Sequence, residues 1–234
     1  DYDLVTASRS LMEFVDELST WYLRLSRDRL RAQNNTNASH VFGYSLYTLA
    51  QLMAPFAPFF AEIMHHNLVS AESSIHHTDW PQLKTELQSP ELEQKMAIVK
   101  TVVGQARALR KEKQFKLRQP LASLSVKAKS EKPNADLIAV MAEELNVKQV
   151  KWEQVKTLTK PQVDYDFTLT PSLKAEGQAR DLMRDIQKLR KKAGLKRDQV
   201  VTVESPDWPK EFQQEIESHT NTQLKKGPAL KIIE

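Results

Sequence analysis

The chain has no cysteine, only five glycines in 234 residues, and no run of eighteen apolar residues. Without cysteine there are no disulfides, no thiolate zinc sites and no cysteine nucleophile, as is usual for a cytoplasmic protein. A metal site would have to use histidine and carboxylate. Four of the six histidines form the adjacent pairs His65–His66 and His76–His77, and neighbours in sequence point to different faces of a helix or strand. Neither pair converges on one ion by itself, so no metal site is expected. The lack of a long apolar run excludes a membrane-spanning helix, and no secretory pattern opens the chain. There is no GxGxxG, no Walker loop and no nucleophile motif around any serine or histidine. The acidic pair Glu143–Glu144 has no nearby base and reads as solvated. No internal repeat is evident, and the opening DYDLVTASRS reads as the middle of a longer protein.

What is present is charge, unevenly spread. The net charge is +4 and the mean hydropathy is −0.53. Residues 95–129 hold ten basic residues against one acidic, and residues 172–198 hold nine against four. Every other segment is net acidic. Such an asymmetry suits a protein that meets a polyanion.

Apolar spacing places helices along the first eighty residues. Leu11, Phe14, Val15, Leu18, Tyr22 and Leu25 follow the i, i+3, i+4, i+7 rule. A second helix is expected from a cap at Thr36 or Asn37 to about Ala54. Pro55 breaks it, and Pro58 opens a third. Short loops between helices make an antiparallel bundle the default. From Ser89, an expected cap, and Pro90 the pattern changes. A helix with Met96, Val99, Val103, Ala106 and Leu109 on one face leads to a strand at Leu121, Leu124 and Val126. A helix in PNADLIAVMAEEL, a strand at Val147, Val150 and Trp152, and an extended VDYDFTLT follow. Thr170 as cap, Pro171 at the first position and Gly194 at the close frame the clearest helix of the chain. Then come a strand QVVTVES, a helix WPKEFQQEIESHT and an extended ALKIIE. The expected fold is an α-helical bundle, residues 1–83, followed by an α/β (α+β) C-terminal domain, residues 84–234.

Five stretches, in order, carry a resemblance. They are YDLVTASRSLMEFVDELSTWYLRLSRDR, LAQLMAPFAPFFAEIMHHNL with SIHHTDWP, FKLRQPLASLSV, ELNVKQVKW, and LTPSLKAEGQARDLMRDIQKLRKKAGL. Together they resemble the isoleucyl-tRNA synthetases, class I aminoacyl-tRNA synthetases, downstream of the catalytic core. The resemblance implies an anticodon-binding bundle lacking its first helix, which leaves an apolar face uncovered, and a C-terminal RNA-binding or junction region. The HIGH-type and KMSKS-type signatures of the family's chemistry are absent, as is an editing domain. The resemblance therefore implies no catalytic residue and no cofactor in this stretch, with ATP and magnesium used by the whole enzyme. Its implied partners are an isoleucine tRNA and the catalytic core of the same polypeptide. Valyl- and leucyl-tRNA synthetases share the apolar framework and stay open as relatives.

Three groups of residues are the tRNA-contact candidates. In the first, Arg107, Arg110, Lys111, Lys113, Lys116 and Arg118 crowd a helix end and its exit loop, with Leu117 and Leu121 expected to bury and anchor it. In the second, Arg180, Arg184 and Lys188 form an i, i+4, i+8 stripe, while Asp181 and Asp185 lie within ion-pairing reach of it. In the third, Arg24, Arg27 and Arg31 share a face beside Trp21, which is either a stacking platform for an unpaired base or part of the core. Lysine and arginine suit RNA because phosphate contacts supply most sequence-independent affinity. A second reading, a module that buttresses a catalytic core with merely solvated basic residues, fits the same residues.

Overall fold

The computed structural model describes residues 3–32, 36–196 and 198–233, the side chain of Thr36 excepted. The chain divides into two units, Asp1–Gln88 and Ser89–Glu234. The first is helical, and the second sets small mixed sheets against helices.

In the first unit, α1 (Leu4–Glu17) is capped by Asp3, whose carboxylate accepts from the Thr6 amide at 3.0 Å. It runs through a π-helical turn, Leu18–Tyr22, into α2 (Leu23–Arg31). The apolar spacing predicts one uninterrupted α-helix, and the structure departs from it here. Ser19 and Thr20 turn their hydroxyls onto the Val15 and Asp16 carbonyls, at 2.8 and 2.7 Å. Such back-bonding accompanies bends and widened turns, and the extra residue shifts the helical phase beyond it. Helix α3 (Thr36–Met53) and helix α4 (Pro58–Leu68) follow, with Pro58 in the first turn as its fixed φ favours. Of the two expected caps, the Thr36 side chain and the loop before it, residues 33–35, lie outside the described residues, and Asn37 falls inside α3. Ala50, Ala61 and Ile75 form the buried centre, packed by Tyr47, Ala54 and Met64. Helix α1 buries no residue: Leu4, Val5, Met12, Phe14 and Val15 are exposed.

The second unit opens with α5 (Pro90–Glu112). Ser89 precedes it, but its side chain makes no cap bond. Then come β1 (Leu121–Ala128), α6 (Ala135–Leu145), β2 (Val147–Gln154) and β3 (Gln162–Tyr165). Strand β1 lies between its neighbours, parallel to β2 (Leu121 opposite Val147) and antiparallel to β3 (Leu124 opposite Tyr165). A parallel pair requires a crossover, and α6 supplies it. Helix α7 (Pro171–Lys192) starts as expected, with Thr170 accepting from the Leu173 amide. Next are β4 (Val201–Ser205), α8 (Gln213–Thr220), β5 (Thr222–Lys226) and β6 (Lys231–Ile233). Strand β4 is central, parallel to β5 and antiparallel to β6. The sequence reading contains no counterpart to β5.

The expectation of no internal repeat is therefore wrong. The run α5–β1–α6–β2–β3 and the run α7–β4–α8–β5–β6 share one strand order and one set of directions. Eighty positions separate LRKEKQFKLRQ (109–119) from LRKKAGLKRDQ (189–199). Both helices end alike: the Phe115 amide donates to the Arg110 carbonyl and the Leu195 amide to that of Arg190, at 2.9 and 3.1 Å. Gln114 (φ 58°) and Gly194 (φ 66°) occupy the same left-handed position. Asn146 and Asn221 end α6 and α8 at φ 50°, and the first residue of each central strand donates to their carbonyls. The duplication is hidden because few identities survive outside the helix-end motif.

Candidate nucleic-acid interface

Arg110 leads the opening basic motif, yet it is 2% exposed. One guanidinium nitrogen donates to the Lys116 and Gln119 carbonyls at 3.0 and 2.8 Å, and the other to those of Leu145 and Asn146 at 2.7 and 3.2 Å. The last two belong to the C-terminal end of α6, the negative pole of its dipole. The Tyr165 ring lies 4.9 Å from the guanidinium. Arg110 thus clamps the helix end, the exit loop and α6 together, and the structure removes it from the RNA-facing candidates. In the second repeat Arg190 does the same, donating to Asn221, Lys196 and Gln199 carbonyls at 3.1, 2.8 and 2.7 Å.

Two further expectations fail. Leu117 is 42% exposed; Leu121 alone of that pair is buried. Glu144 is 8% exposed, not solvated, because Arg107 reaches across from α5 and pairs with it. A carboxylate taken out of water needs such a partner.

Three cations of the first two groups meet. Arg118, on the loop before β1, donates to Asp181 on α7 at 2.9 Å. Lys116 lies 3.7 Å and Arg184 3.8 Å from the same carboxylate. Partial burial opposes ionisation of Asp181, but the Arg118 bond and the three neighbouring positive charges outweigh it and hold its pKa below the ordinary aspartate value. Two islands some sixty residues apart in sequence are thereby one surface. Lys111, Lys113 and Lys116 are exposed, with Lys113 3.8 Å from Glu112. Arg180 donates to Asn146 at 2.7 Å and to Glu176 at 2.8 Å. Arg184 and Lys188 pair with Asp185 at 2.8 and 3.4 Å. Gln119 fixes the N-terminal half of α7 to the first repeat by donating to the Leu173 carbonyl at 2.7 Å. Gly177 makes room for it, since a Cβ there would lie 2.3 Å from the Gln119 side-chain oxygen.

Arg118, Arg180 and Arg184 line a cleft of about 430 Å³, together with Met183, Gln187, Glu215 and His219. Gln187, Glu215 and His219 were not among the sequence candidates. Only the duplication, aligned by its helix-end motif, would have drawn attention to them.

The third group belongs to the first unit. Trp21 is half-buried in the π-helical turn, and the Arg24 guanidinium lies 5.4 Å from its ring centroid. Arg24 also donates to the Thr20 carbonyl at 3.0 Å. Arg27 and Arg31 are exposed, Arg31 at 4.0 Å from Asp28. Among the described residues no three histidine, aspartate or glutamate side chains converge to hold a metal ion. No helix there is long and apolar enough to cross a membrane.

Residues 1–127 match the model of a family described as the anticodon-binding domain of tRNA ligase. Among curated proteins, the chain is 35% identical over 220 residues to an isoleucine–tRNA ligase of Dehalococcoides mccartyi, covering 83% of this chain and 22% of that protein. A Deinococcus radiodurans isoleucine–tRNA ligase is 37% identical over 185 residues, covering 76% and 16%. One from Protochlamydia amoebophila is 34% identical over 205 residues, covering 83% and 19%. The chain thus spans about a fifth of the length of the curated relatives it matches.

Proposed function

Since the chain belongs to the anticodon-binding domain family of tRNA ligases, we propose that it grips the anticodon stem and loop of a tRNA, the isoleucine isoacceptor in particular. The observation that carries this reading is the joining of both basic islands at Asp181, which sets Lys116, Arg118 and Arg184 around one carboxylate. Spread along the chain, these charges would each attract counterions separately. Gathered, they match the closely spaced phosphates of a folded RNA strand. In this division of labour the second unit holds the RNA in place through its phosphates. Trp21 with Arg24, Arg27 and Arg31 offers the first unit's contact to unpaired bases.

The likeness to isoleucine–tRNA ligases supports a role in joining isoleucine to its tRNA in the cytoplasm, with ATP and magnesium, by a catalytic core elsewhere in the same polypeptide. Among the described residues no three histidine, aspartate or glutamate side chains gather to hold that metal. One observation favours the buttress reading: Arg118, Arg180, Arg184 and Lys188 each already hold a carboxylate. Competition binding separates the two. The RNA reading expects an isoleucine tRNA transcript to bind better than valine or leucine transcripts, and an anticodon swap to remove the preference. A folded chain that retains no tRNA leaves the buttress.

A further inference from the structure

The two repeats diverge at one place that the duplication makes legible. In the first, the seam between α5 and α6 is spanned by Arg107 and Glu144. Their counterparts in the second, across α7 and α8, are Gln187 and His219. The Gln187 amide only touches the His219 main-chain carbonyl, at 3.4 Å. Where α5 carries Gly104, α7 carries Arg184, and where α5 carries Lys100, α7 carries Arg180. At this seam lies the 430 Å³ cleft, and Arg118 reaches into its wall from the first repeat. One copy of the motif is thus tied shut by an ion pair. The other has neither member of that pair and carries guanidiniums instead.

We infer that this cleft is a binding site for a single unpaired nucleotide of the RNA, its phosphate held by Arg118, Arg180 and Arg184. The inference rests on the RNA-binding reading above. Four features support the assignment. Guanidinium forks bind phosphate oxygens two at a time, and three line one cavity. Among the described residues Arg118 is bonded through Nε alone, to Asp181. The volume falls within the range of small-ligand sites and exceeds what a bare phosphate fills. Met183, 7% exposed, gives the cleft an apolar residue beside the charges. Gln187 and His219 contribute by leaving the seam open, and Glu215 is the one acidic residue of the lining.

The first repeat supplies the test. The double substitution Gln187→Arg with His219→Glu rebuilds the ion pair in the second seam and leaves the formal net charge unchanged. The 234-residue chain and the variant are compared by urea unfolding, by affinity for an anticodon stem-loop RNA across a salt series, and by NMR of the His219 ring in the parent chain titrated with a nucleoside 5′-monophosphate. The expected result is a folded variant that binds the RNA about tenfold more weakly, with a salt slope lower by about one because one phosphate is no longer neutralised. In the parent chain the His219 resonances shift on adding the mononucleotide. A folded variant with unchanged affinity and slope overturns the cleft as a site while leaving the RNA-binding reading intact. A parent chain that binds no RNA overturns both. If the double variant does not fold, the parent titration decides: His219 resonances that move with the mononucleotide support the site, and resonances that stay fixed while the chain still binds the RNA overturn it.

Discussion

Replacing Arg110 by methionine separates its structural role from the RNA contact its sequence position suggests. Methionine keeps the length and apolar stem of the side chain but leaves the carbonyls of Lys116, Gln119, Leu145 and Asn146 without their donor. At about 1 kcal/mol for each missing bond the sum is about 4 kcal/mol. Water reaching the loop carbonyls offsets part of this, for a net cost of about 3 kcal/mol. With a urea m-value of about 2 kcal/mol/M, the unfolding midpoint should fall by about 1.5 M. Arg110→Lys should recover little of this, because one ammonium cannot span carbonyls on both sides of a planar fork. Arg190→Met should cost nearly as much, since it breaks the matching clamp. The assay is urea unfolding followed by far-UV circular dichroism, with RNA affinity measured under conditions where the variant is folded. An unchanged midpoint with sharply weaker RNA binding would refute the clamp and return Arg110 to the RNA face.

Other expectations follow from the same geometry. Gln114 bears a side chain at φ 58° where its counterpart is Gly194; Gln114→Gly should stabilise by about 0.5–1 kcal/mol and Gly194→Ala should destabilise by about 1 kcal/mol, read by thermal unfolding. Arg107→Gln removes the positive charge paired with the buried Glu144 carboxylate and should cost about 2–3 kcal/mol, discounted from a fully buried pair because Arg107 is partly exposed; a loss under about 0.5 kcal/mol would mean the pair contributes little. Asp181, with its pKa lowered in the folded chain, contributes stability that is present above the unfolded aspartate value near 4 and is lost as pH falls through the lower folded value. Asp181→Asn should therefore flatten the acid limb of the stability profile, and should also tighten RNA binding several-fold by relieving Lys116 and Arg118 of that carboxylate; unchanged affinity counts against their contact with RNA.

How much of this is readable from sequence depends on which physical signal each residue carries. Helix α7 announces itself through Thr170, Pro171 and Gly194, because caps are local chemistry. The mixed sheets are legible as strands wherever apolar residues alternate. Strand β5, TQLKK, has a single large apolar residue, Leu224, so its pattern is too thin to see. The π-helical turn escapes because spacing rules assume a constant period. Arg110, Glu144 and the joining of the islands at Asp181 escape for one reason. A charged side chain in sequence looks solvated, and only the fold shows that carbonyls or an opposite charge from a distant element surround it. The repeat escapes because what it preserves is mainly geometry: a left-handed residue after each helix, an arginine clamp, and an asparagine before each parallel strand.

The central claim is that the two basic islands form one RNA-binding surface. Its most direct test is the slope of log affinity against log salt for an isoleucine tRNA transcript. It is measured on the parent chain, on Arg118→Gln, on Arg184→Gln and on the double variant, each verified as folded. The account predicts that either single change lowers the slope by about 0.7–0.9, and that both together lower it further. A slope that stays at the parent value in the double variant would contradict it.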